Sequence, residues 1–112
     1  MKIIATNIEN LNEDKRTLYK LSKARGINVK DCEADSEFPV DAYLLYEGEN
    51  SRGDLQTVLA IISGENKLQT ISKTFRDAFL EIAELMGSDP YSIKIIKSTT
   101  KAGREFVTCE LA

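Results

Sequence analysis

Apolar and polar positions alternate over VDAYLLYE, residues 40–47, placing Val40, Ala42, Leu44 and Tyr46 on one side and Asp41, Tyr43, Leu45 and Glu47 on the other. That period of two predicts a strand. LQTVLAIIS (55–63) is instead a nearly unbroken aliphatic and β-branched run, as expected of a strand covered on both faces or bent round a barrel. ENSRGD separates the two as a turn cluster, and GENK reverses the chain into a further short strand, LQTIS (68–72). In SKTFRDAFLEIAELMG (72–87) the spacing changes to threes and fours: Phe75, Ala78, Phe79, Ile82, Leu85 and Met86 form one stripe. This predicts a helix, with Ser72 or Thr74 capping its start and Gly87, before Asp89-Pro90, ending it. YSIKIIKST (91–99) and REFVTCEL (104–111) read as two strands joined through TKAG into a hairpin.

The first 38 residues are built differently. NEDKRTLYKLSKARG (12–26) predicts a short helix with Asn12 as its cap, Glu13 and Asp14 at the positive end of its dipole, and Leu11, Leu18, Tyr19 and Leu21 as a modest stripe. Gly26 is expected to supply a left-handed stop. KIIA (2–5) reads as a short strand or an extended arm, and DCEADSE (31–37), with four acids in seven residues, as a solvated connection.

The chain is therefore expected to be mainly β with helices, an α+β protein. Residues 39–112 follow the order β-β-β-α-β-β, that of a five-stranded OB-like barrel with a helix plugging one end. Residues 1–38 are expected to be a helical extension packed on it. A generic α+β sheet with one covering helix accommodates the same string. In an OB barrel the ligand crosses the second and third strands, between the loop joining strands 1 and 2 and the loop joining strands 4 and 5. Here those loops are EGENSRGD (47–54), which carries Arg52, and KSTTKAGREF (97–106).

Composition narrows the chemistry. A chain of 112 residues supports one core. It has no histidine, which excludes Ser-His-Asp and Cys-His nucleophilic sites and imidazole-bound zinc, and its two cysteines are too few for an all-thiolate zinc site. Cys32 and Cys109 are expected to be free thiols, one in a loop and one in a strand. No metal, cofactor or catalytic residue is assigned, and enzyme activity is not expected. No apolar run approaches the roughly 20 residues that span a bilayer. The start MKIIATNIENLNED turns acidic too soon for a signal peptide, so no membrane association and a cytoplasmic setting are expected.

The net charge is −3, yet residues 94–104 carry Lys94, Lys97, Lys101 and Arg104 without one acid, and acids outnumber bases elsewhere. Phosphates respond to local rather than net charge, because screening at physiological salt acts over about 8 Å. Arg52, Lys94, Lys97, Lys101 and Arg104 are thus candidate phosphate contacts. Tyr43, Tyr91 and Phe106 are candidate surface aromatics for stacking bases, whereas Phe75, Phe79 and Tyr46 belong to apolar faces.

LLYEGENSRGDLQTVLAI, TISKTFRDAFLEIAELMG and IKIIKSTTKAGREFVTCEL resemble small single-stranded-DNA-binding proteins encoded by phages of Gram-positive bacteria. The likeness lies in the aliphatic-Tyr-Glu strand end, the Gly-Asp loop, the Thr-Phe-x-x-x-Phe helix start and the Lys-x-Gly-Arg-x-Phe hairpin. It covers residues 40–112, with a looser similarity in LYKLSKARGINVKD. Lys101, Gly103, Arg104 and Phe106 are carried over as pattern positions. The resemblance implies an OB-like viral protein that coats single-stranded DNA without sequence specificity in phage DNA replication or recombination. Homo-oligomers and contacts with replication proteins fit that role. A competing expectation is a small phage protein that inhibits a host enzyme or defence protein, with the acidic 31–41 region mimicking DNA.

Overall fold

The structure is a computed structural model and describes residues 1–112. In chain order its elements are β1 (Lys2–Thr6), α1 (Lys15–Ser22), β2 (Ile27–Asn28), β3 (Glu37–Pro39), β4 (Ala42–Glu49), β5 (Leu55–Ser63), β6 (Asn66–Thr70), α2 (Lys73–Met86), β7 (Ser92–Thr99) and β8 (Glu105–Leu111). Two short 3-10 turns, Leu11–Glu13 and Val29–Asp31, precede α1 and follow β2. The protein is mixed α+β, mostly strands with two helices, and neither helix is long and apolar enough to cross a membrane.

The strands do not close into the expected five-stranded barrel. They form one sheet in the order β1-β4-β5-β6-β2 and another in the order β3-β7-β8. Residues 37–49 pass from one sheet to the other: β3 pairs with β7, and β4 pairs with β5 from Ala42↔Ile62 to Glu49↔Leu55. Closure would need β6 to meet β8, but β2 takes the edge of β6 in parallel, Ile27 opposite Leu68. The Val29–Asp31 turn then lies against both β6 and β8, with Val29 and Cys32 buried in the core between the sheets. Gly26 sits where this segment approaches β6 closely. It is not the left-handed helix stop that its position suggests; a Cβ there would stand 3.1 Å from the Lys67 carbonyl oxygen and 2.9 Å from Gln69 Oε1. A side chain there would have to displace the Gln69 side chain and push against the Lys67 carbonyl.

Both faces of β4 and β5 are covered, which accounts for the apolar run in β5. Leu45, Leu59 and Ile61 pack with Leu68, Phe75, Phe79, Ile93, Ile95 and Cys109 in the main core. On the opposite face Leu44 and Ala60 pack with Leu11 and Leu21, beneath α1. Helix α1 begins at Lys15 rather than at Asn12, because the Asp14 side chain accepts from the Thr17 N–H at 3.2 Å while Asn12 lies in the preceding 3-10 turn. The first 38 residues are therefore more than a helical extension: they supply β1, β2 and the start of β3.

Helix α2 starts at the Ser72 cap, whose hydroxyl accepts from the Phe75 N–H, and ends at Gly87 with φ 59°. Phe75 and Phe79 are fully buried, whereas Leu85 is 79% exposed. Six residues beyond Phe79, Leu85 is turned about 120° from it around the helix. It lies outside the stripe to which its spacing assigned it. Segment 31–37 is solvated in part: Asp31, Glu33, Asp35 and Glu37 are exposed, but Cys32 is buried and Glu37 begins β3.

These placements separate two kinds of substitution. Phe79→Ala is expected to cost about 3–5 kcal/mol and Leu21→Ala about 2–5 kcal/mol, whereas Leu85→Ala stays within about 0.5 kcal/mol of wild type. Urea unfolding checks this, with a single transition in each case if α1 belongs to the same cooperative unit.

Candidate nucleic-acid interface

In the β7–β8 ribbon, Ile93 pairs with Leu111, Ile95 with Cys109, Lys97 with Val107 and Thr99 with Glu105. Directly opposed residues share a face, so these four pairs form the inner face and Lys94, Ile96, Ser98, Phe106, Thr108 and Glu110 the outer one. Ile93, Ile95 and Cys109 fill the core. Beyond them the ribbon leaves the body of the protein, and residues 97–105 are exposed without interruption. The turn is held by Thr100 N–H to Arg104 O at 2.8 Å, Gly103 N–H to Thr100 O at 2.9 Å and Arg104 N–H to Thr100 Oγ1 at 3.2 Å. Gly103, at φ 82°, occupies the left-handed position that this turn requires. Lys101 and Arg104 stand at the tip.

The projecting ribbon forms one wall of an open groove of about 790 Å³. The other wall is the β6–α2 junction, Thr70–Ser72, with Asn28 and Lys30 from the N-terminal segment. The Lys97 ammonium donates to the Lys30 carbonyl oxygen at 2.9 Å, so Lys97 is drawn across the groove toward the β2 turn. Glu105 is the one acid in the lining.

The eight sequence-predicted site residues do not all converge. Lys97 and Phe106 line the groove, and Lys101 and Arg104 extend beyond it at the ribbon tip. Phe106 packs into neither core. Lys94 does not line the groove; on the outer face it stands in register between Glu37 of β3 and Glu110 of β8, with no ion pair to either. Arg52 occupies the exposed turn between β4 and β5, where the Asn50 side chain accepts its backbone N–H, and it does not line the groove. Tyr43 and Tyr91 are not free stacking surfaces. Tyr43 meets Phe79 edge-on with ring centroids 5.1 Å apart, and Tyr91 lies 6.5 Å from the same ring. Of the second and third strands expected to carry a ligand, here β5 and β6, α1 packs on one face of β5, and it covers β4 beside it. Lys30, Ile71 and Ser72 escaped the sequence reading, because long-range packing brings them to the groove and no local motif marks them.

Burial controls the ionisable groups beneath the ribbon. It raises the Cys109 thiol to about 12, with Glu110 adding to the effect, and raises Cys32 despite the opposing pull of Lys97. Both thiols are therefore free, protonated and unreactive rather than poised nucleophiles. Burial also raises Tyr91 to about 12, with smaller contributions from Tyr43 and Cys109, and its hydroxyl is buried without a partner.

Because the folded pKa values lie above the unfolded ones, these groups stabilise the fold fully below about pH 9, and that contribution is lost as pH rises toward about 12. Urea unfolding at a series of pH values should show that decline. Tyr91→Phe, by removing an unpaired buried hydroxyl, should raise stability at neutral pH by about 1 kcal/mol and lessen the alkaline loss.

Comparison with family models, with curated proteins and with solved structures finds no match for this chain.

Proposed function

We propose that the protein binds single-stranded DNA without sequence specificity, through the groove beside the β7–β8 ribbon and the cationic ribbon tip, and that it does so in phage DNA replication or recombination. One observation carries this reading: Lys30 and Lys97 line an open groove that continues to the exposed Lys101 and Arg104, in a chain of net charge −3. Each cation that neutralises a phosphate releases condensed counterions, so a short line of them gives moderate, salt-sensitive affinity. Phe106, at the groove and outside both cores, is the aromatic available for stacking a base.

The architecture is read as an opened OB-like barrel. From β4 onward the order is three strands, a helix and two strands, and residues 37–49 serve both sheets as one bent strand would. The seam between β6 and β8 holds the β2 turn instead of a closing pair of strands. With α1 on the outer face of β4 and β5, the ligand track moves from that face to the groove along the seam.

Titration of a fluorescent oligothymidine at several salt concentrations tests the proposal. Wild type should bind at low salt and weaken steeply as salt rises. Lys101→Ala/Arg104→Ala should bind more weakly to every sequence, with a salt slope smaller by about 1.4, or about 0.7 for each lost contact. Both residues are exposed, so the variant should remain folded. A wild-type protein that fails to bind at low salt overturns the function; a variant that binds like wild type overturns the site.

A further inference from the structure

On the groove wall opposite the ribbon, the side-chain acceptors are already committed. Asn28 Oδ1 accepts the Lys30 N–H at 3.1 Å, Thr70 Oγ1 accepts the Ser72 N–H at 3.0 Å, and Ser72 Oγ accepts the Phe75 N–H at 3.3 Å. Asn28, Thr70 and Ser72 all line the groove. A backbone N–H only donates, so the Asn28 oxygen is the atom turned toward Lys30, and its NH2 group is left with two donors. The two hydroxyls likewise keep their protons to donate, and Lys30 and Lys97 add ammonium groups, which have no acceptor. The one carboxylate in the lining, Glu105, belongs to the ribbon. The apolar part of the lining is Ile71, 62% exposed, with Phe106 and Val107 from the ribbon.

We infer that the groove seats a base by its keto edge and that Asn28 sets this choice. The inference rests on the single-strand reading above and adds to it a preference by base type, which demands no particular sequence. Ile71, Phe106 and Val107 suit the face of a base and not a phosphate. A base held against them turns its hydrogen-bonding edge to the donors. Thymine and uracil present O4 at that edge, whereas cytosine presents the N4 amino group. An amino group meeting the Asn28 amide leaves two donors without a partner, which costs more than one added contact gains. Asn28 is half-buried, and its oxygen caps the Val29–Asp31 turn. The amide therefore cannot turn over to offer its acceptor without giving up that cap.

Labelled oligodeoxyuridine and oligodeoxycytidine of equal length share one backbone and differ at the base edge, with no methyl group on either. Titrated at matched low salt, wild type should bind the uridine strand about 2- to 10-fold more tightly, the scale of one hydrogen bond. Asn28→Asp keeps an oxygen for the Lys30 N–H, and Asp caps as well as Asn, but it replaces the amide donors with an acceptor. This variant should bind both strands more weakly and lose or reverse the preference. Lys30→Gln makes the same change in net charge beside it and should weaken both strands alike, with the wild-type ratio retained. Equal binding of the two strands by wild type, or an Asn28→Asp ratio that matches the Lys30→Gln ratio, overturns the inference and leaves single-strand binding standing. Wild-type protein that binds neither strand overturns the nucleic-acid reading itself, and the inference with it.

Discussion

The fold depends on what fills the space between β6 and β8. Val29 and Cys32 enter the core there, and Ile27 and Asn28 bond to the edge of β6. Val29 is 1% exposed and Cys32 7%, so this short segment behaves as core although it belongs to no regular element longer than three residues. With the seam occupied, β8 cannot pair with β6, and the outer half of the β7–β8 ribbon projects without a covering layer. The groove follows from that arrangement: one wall is the ribbon, the other the start of α2, and the segment in the seam supplies Asn28 and Lys30. Two contacts at its ends, Lys67 Nζ to the Ala24 carbonyl oxygen at 2.7 Å and Lys97 Nζ to that of Lys30 at 2.9 Å, tie it to both sides.

Charge follows the same geometry. Some of the chain's acids stand beside the base of β7, where Glu37 pairs with Lys94 and the Asp35 N–H donates to the Ile95 carbonyl oxygen. Lys94 stands in register with Glu37 and Glu110, while Lys101 and Arg104 lie at the exposed tip. The net charge of −3 therefore says little about the field at the tip, because screening confines each carboxylate's influence to about 8 Å. The main core below contributes no nucleophile, since burial keeps both thiols protonated at neutral pH.

Much of the fold was legible wherever the pattern was local. Strand β5 spans residues 55–63 as its apolar run indicated, and α2 lies between the Ser72 cap and Gly87. The ribbon and its glycine turn were also plain. What could not be read depended on distant partners. Strand β2 has two residues and pairs with Leu68 and Gln69, which no periodicity reports. Alternation in β4 grouped Tyr43 with Leu45 correctly, yet it could not reveal that both faces of the strand would be covered. Tyr43 was therefore expected at the surface and instead lies against Phe79. Of the candidate site, the cationic tip was visible as a cluster in sequence. Lys30 and the strand partners of Lys94 were not, because each arises from residues more than 15 positions away meeting across the fold.

The central claim is that the ligand track runs along the seam and ribbon, and not over the strand face that α1 covers. Chemical-shift mapping of backbone amides during titration with oligothymidine tests it most directly. The account predicts perturbations concentrated at residues 28–30, 70–72 and 97–107, with α1 unchanged. Shifts centred on α1 and the outer face of β5, with the ribbon tip silent, would contradict it.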